Sequence, residues 1–96
     1  MDLTEFEWDE DKAEANLAKH GLSFEEALTV FDDPLAAIFD DEGHSTQELR
    51  EIIIGHSSQG RLVLVSFTER SKAIRIIGAR PTTRRERERY EENTRQ

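Results

Sequence analysis

Apolar residues recur at two different spacings along this chain, and the change comes at Pro34. Before it the pattern is helical. "FEWD" (6–9) alternates rings and acids, which predicts a short strand with Phe6 and Trp8 on one face. Asp9 then reads as the N-cap of "EDKAEANLAKHG", a run of good helix formers with Ala13, Leu17 and His20 on one stripe. Acids lead this segment, Lys19 and His20 close it and Gly21 stops it, the order a helix dipole and a glycine C-cap favour. Ser23 opens a second helix, with Glu26 three residues on completing an S-x-x-E capping box. Phe24, Ala27, Leu28 and Phe31 follow at i, i+3, i+4 and i+7, and "DDP" (32–34) ends the run. Two helices with so short a joint form a hairpin.

After Pro34 the period becomes that of strands. "LAAIFD" (35–40), "ELREIIIGH" (48–56), "RLVLVSFT" (61–68) and "KAIRIIGAR" (72–80) are rich in β-branched and apolar residues, and their connections are short and polar. Such connections require antiparallel neighbours, giving a four-stranded meander with the first strand added at one edge. Pro81 ends the last strand. Thr83 and Glu86 make a T-x-x-E box that opens a helix over "RRERERYEE" (84–92). The expected order is β-α-α-β-β-β-β-α, an α+β fold in which the hairpin covers one sheet face through Leu17, Phe24, Leu28 and Phe31. At 96 residues, with no repeat or linker, positions 1–96 read as one domain.

Composition removes several classes. There is no cysteine, hence no disulfide and no thiolate chemistry. No secretory signal and no apolar run near the roughly 20 residues of a membrane span is visible, so a cytoplasmic protein is expected. His20, His44 and His56 show no metal-ligand spacing, so neither metal nor cofactor is expected. His44 reads as surface, His56 as structural or solvated, and His20 as a helix-end residue. No phosphate-binding glycine loop or nucleophile elbow is present.

Charge separates the two halves. The net charge is −8, but residues 1–48 carry 2 − 15 = −13 and residues 49–96 carry 11 − 6 = +5. Either the halves attract each other, or the basic half serves a polyanion. The last helix favours the second reading. Tyr90 is its only large apolar residue, and the pairs Arg84–Glu88 and Arg87–Glu91 would merely support it in solvent. Upstream, Arg61 begins a strand, Arg70 falls in a turn, and Arg75 and Arg80 lie in the last strand. Strict alternation there puts Ile74, Ile76 and Arg80 on one face, with Arg75 and Ile77 on the other. Arg80 is three residues from Arg84 and Arg85, and the helix start between them offers N–H donors to an anion. Glu86, in the same turn, either holds an arginine or moves a proton.

"WDEDKAEANLAKHG", the second-helix pattern ending in "FDDP", and "RIIGAR" followed by "RRERERYE" resemble the BrnT toxins of bacterial type II toxin–antitoxin systems, over residues 5–91. Gly78 stands where that family usually has serine. The resemblance implies a RelE-like fold, a metal-independent endoribonuclease, and a BrnA-type ribbon-helix-helix antitoxin through which the pair contacts operator DNA. Carried over by motif position, it points to Lys12, His20, Arg70, Arg80 and Glu86 as catalytic. Trp8, Arg75, Arg84, Arg85 and Tyr90 are then RNA contacts. The competing reading is a degenerate, non-enzymatic module that holds RNA or an acidic protein on the basic surface. A DNA-binding regulator in its own right is disfavoured by the −8 net charge and the lack of a helix-turn-helix signature.

Overall fold

A computed structural model describes residues 5–41 and 49–95. The order is β1 (Glu5–Glu7), α1 (Glu10–His20), α2 (Phe24–Thr29), a short 3-10 turn (Val30–Asp32), β2 (Ala37–Asp40), β3 (Glu51–His56), β4 (Leu62–Arg70), β5 (Ala73–Pro81) and α3 (Arg84–Thr94). This is the expected β-α-α-β-β-β-β-α order. His44 and the expected strand start at Glu48 fall outside the described residues.

The helix ends follow their local chemistry. Asp9 accepts from the Asp11 and Lys12 amides at the start of α1, and Gly21, left-handed at φ 67°, returns its N–H to the Leu17 carbonyl. The second box is only half formed: Ser23 caps the Glu26 amide, but the Glu26 carboxylate is drawn away to Ser57 and Arg61. The Thr83–Glu86 box is complete.

The strands run β1-β5-β4-β3-β2 across one five-stranded sheet. β2 to β5 are the antiparallel meander, and β1 adds to the edge of β5 in parallel, over residues 73–75 only. The hairpin between β4 and β5 is tighter than expected. β4 continues through Arg70, which therefore ends a strand rather than lying in the turn, and Ser71 takes the positive φ of 53°.

The hairpin of α1 and α2 covers one face. Leu22, Phe24, Ala27 and Val30 pack there on Ile53, Val63, Val65, Phe67, Ile76 and Ala79. Phe31 is tilted against Phe6, with ring centroids 5.2 Å apart, and meets Phe67 edge-on at 5.1 Å. Leu17 is not part of this core. It is 52% exposed, and the sheet-facing side of α1 is instead Ala13, Asn16 and His20. A shift of one residue around α1 is about 100°, enough to exchange a leucine for an asparagine.

α3 covers part of the other face. Tyr90 packs on Ile54, Leu62 and Leu64, with Phe39 and Ile52 beside them, while Arg89 lies over the Phe39 ring at 3.9 Å. The Tyr90 hydroxyl donates to Asp33 at 3.0 Å and lies 3.1 Å from His56 Nδ1. Burial, reinforced by Asp33, pushes the phenol up to about 12. Asp33 also accepts the His56 and Leu35 amides. Burial raises its pKa, but these donors outweigh it and hold the carboxyl below its usual value. No helix among the described residues is long and apolar enough to cross a membrane.

Candidate nucleic-acid interface and active site

β5 carries one residue too many for its partner. Ile76 pairs with Phe67 and Gly78 with Ser66, so Ile77 is an unpaired bulge residue. Alternation resumes in the opposite phase beyond it. Ala79 therefore enters the core under the helices, and Arg80 joins Arg75 on the other face, opposite Leu64. The sequence pattern had put Arg80 with Ile74 and Ile76; the bulge reverses that. Ser66, Gly78 and Arg80 now lie on the same face, beside the start of α3.

Arg80 is clamped there. Its two terminal nitrogens donate to the two Glu86 carboxylate oxygens, each at 2.8 Å, and one of them also reaches the Pro81 carbonyl at 3.2 Å. Glu86 Oε1 accepts the Thr83 amide as well, at 2.9 Å. The carboxylate that completes the helix cap is thus the one that orients the arginine. It occupies the helix start, which the sequence had offered as an open anion site. The Arg80 hydrogen bonds hold the Glu86 carboxyl near 2, against the opposing effect of burial and with help from Thr83. An acid so strong stays ionised at neutral pH, which suits a positioning role better than proton transfer.

This clamp has a stability consequence. A depressed folded pKa stabilises the fold above the unfolded value, near 4.5, and that stabilisation is lost as pH falls through about 2. Glu86→Gln should cost about 1–2 kcal/mol at pH 7, less than the shift alone implies, because the Arg80 side chain is 38% exposed and solvent screens the pair. Urea unfolding of both proteins at pH 7 and pH 2.5 measures it. The gap between them should shrink at the lower pH.

The remaining expected residues divide into two groups. Asn16, His20, Leu64, Ser66, Gly78, Ala79 and Arg80 line one cleft of about 150 Å³ at the edge of β5. Lys12, Asn16 and His20 follow at i, i+4 and i+8, so exposed Lys12 continues the same helix stripe. A Cβ on Gly78 would meet only Asn16 Oδ1, at 3.8 Å, so the family's serine fits there.

The others lie elsewhere. Arg70 shares the face of Arg80, but it is six residues along β4 from Leu64, the partner of Arg80, or about 20 Å. Arg75 pairs with Glu7 at 3.1 Å. Arg84 reaches Glu88 at 3.4 Å, and Arg85 is exposed in the first turn of α3. Trp8 stands edge-on to Phe24, with centroids 5.9 Å apart, and its indole N–H donates to Glu10. Tyr90 is 5% exposed and holds α3 rather than facing outward.

Two features escaped the sequence reading. Asn16 had no signal in the apolar pattern. Arg61 clasps the helix hairpin to the β3–β4 turn, donating to Glu26 and to the Gly21 carbonyl at 3.1 Å. Arg61–Glu26 and Arg75–Glu7 are attractions between the acidic and basic halves, whereas Arg80–Glu86 lies wholly within the basic half.

The fold and the cleft define a small α+β domain that sets a clamped arginine beside a helix-borne histidine at a sheet edge. Residues 8–86 match the family described as the ribonuclease toxin, BrnT, of type II toxin–antitoxin systems, and the chain belongs to that family. The crystal structure of the Brucella abortus ribonuclease toxin, BrnT, is similar, at 25% identity and a TM-score of 0.63, covering 85% of this chain and 99% of that one. No curated protein matches the chain.

Proposed function

We propose that this toxin is a metal-independent endoribonuclease acting in the bacterial cytoplasm, and that the cleft between α1 and β5 is its active site. The observation that carries the reading is the convergence of His20 and the Glu86-clamped Arg80 on one cleft. The RNA 2′-hydroxyl attacks the adjacent phosphorus. The P–O5′ bond breaks, leaving a 2′,3′-cyclic phosphate and a free 5′-hydroxyl. Arg80 stabilises the extra negative charge of the transition state, and its fixed orientation avoids reorganisation during the reaction. His20, which lines the cleft, is the candidate for taking the 2′-hydroxyl proton, and solvent water supplies the proton that converts the departing 5′-oxygen to the hydroxyl. Lys12 adds positive charge along the same helix stripe. Arg75, Arg85 and Arg70 line the approach of the phosphate chain, and Glu86 acts through Arg80.

The partner is a BrnA-type ribbon-helix-helix antitoxin that masks the basic face. The complex represses its own promoter, and DNA is contacted only through the antitoxin. The test is cleavage of a defined RNA by purified protein in EDTA, with the cognate antitoxin added back. Cyclic-phosphate ends, formed without metal and suppressed by the antitoxin, are the expected outcome. Retention of RNA without cutting would replace this reading with that of a binding module.

A further inference from the structure

We infer that Asn16 is a positioning residue, whose carboxamide sets the separation of His20 and Arg80 across the free edge of β5. The inference rests on the ribonuclease reading of this cleft. β1 pairs with β5 only as far as Arg75, so beyond that point the outer edge of β5 has no strand neighbour among the described residues. The bulge at Ile77 lies in this unsupported stretch, and Arg80 follows it by three residues. A bulged edge strand is free to twist unless something holds it.

Asn16 holds it. Its Oδ1 accepts the Ala79 amide at 3.1 Å, one residue before Arg80. Its Nδ2 donates to the Leu22 carbonyl at 3.0 Å, just past the end of α1. Both ends of one amide are used, as donor and as acceptor, so α1, the joint to α2 and the β5 edge are fixed together. Ala79 as a whole is 4% exposed, so its amide has little access to water as an alternative partner. His20 is one helical turn from Asn16, and Arg80 is the next residue after Ala79. The same contact therefore indexes both reacting groups.

Alanine removes both hydrogen bonds, and aspartate keeps the acceptor while losing the donor. The experiment compares wild type, Asn16→Ala, Asn16→Asp and, as a control on the exposed side of α1, Leu17→Ala. Circular dichroism verifies folding. Amide exchange of Ala79 and the NMR signals of the His20 and Arg80 side chains report the geometry. Single-turnover cleavage of a defined RNA across substrate concentrations reports the chemistry.

In Asn16→Ala, Ala79 exchange should accelerate by about tenfold or more and kcat should fall by about 10- to 100-fold, with KM changed less than about threefold. Asn16→Asp should retain Ala79 protection and cleave at an intermediate rate, and Leu17→Ala should match wild type. An unchanged kcat in folded Asn16→Ala, or a loss confined to KM, overturns the inference. If wild type itself cuts no RNA, the ribonuclease reading fails. The positioning role is then decided by NMR alone, and is overturned if the Ala79, His20 and Arg80 signals are the same in Asn16→Ala as in Leu17→Ala.

Discussion

Arg80→Ala should lower RNA cleavage by about 100-fold or more, roughly 3 kcal/mol of transition-state stabilisation, while leaving the fold intact. The size follows from the geometry. Arg80 is the arginine that lines the cleft, and its fork is fixed by two carboxylate contacts before any substrate arrives. Arg80→Lys keeps a positive charge but cannot make the paired contact with Glu86, so its rate should fall between the two. Arg70→Ala should behave differently. At about 20 Å from the cleft along β4, Arg70 can assist binding of a longer RNA but not the bond being broken. Its loss should appear in KM and fade with short substrates. Rates for each purified variant, with circular dichroism as the folding control, decide the matter. Wild-type activity in folded Arg80→Ala would remove the cleft as the active site.

The largest expected loss of stability is that of Phe67→Ala. Phe67 is 1% exposed, stands edge-on to Phe31 and pairs across the sheet with Ile76 at the bulge. Removing a buried phenyl ring costs about 3–5 kcal/mol, against a total of about 5–15 kcal/mol for a domain of this size. Phe67→Ala should therefore lose about a fifth or more of its stability, and with it toxicity, without touching the cleft. Phe31→Ala should cost less, because that ring is only partly buried. Urea midpoints measured at one temperature give both values. A midpoint for Phe67→Ala equal to that of wild type would contradict the packing of this ring between the sheet and the helix hairpin.

Much of this architecture was legible in the chain because it depends on neighbours. The N-caps at Asp9, Ser23 and Thr83 and the left-handed Gly21 involve groups within four residues of each other, and each lies where the sequence indicated. The switch from helical to alternating period at Pro34 was equally local, and it sufficed to give the element order and the antiparallel meander. The Arg80–Glu86 proximity was legible for the same reason, since only five residues separate them.

What escaped the sequence depended on groups far apart in the chain. Nothing in "EANLAKH" says that an asparagine, rather than Leu17, turns toward the sheet. That choice is made by the Ala79 amide, 63 positions away, which needs an acceptor where β1 runs out. Glu26 leaves its expected box because Ser57 and Arg61 offer stronger donors across the fold. Tyr90 turns inward to anchor α3 because Asp33 and His56 meet its hydroxyl. The face on which Arg80 stands was decided by one unpaired residue, Ile77, since a strand's alternation is strict only while its register is unbroken. The elements and their ends are set by contacts a few residues long, and so can be read along the chain. Which side chains meet in the cleft is settled in the folded molecule, because hydrogen-bond satisfaction and strand register are fixed between distant segments.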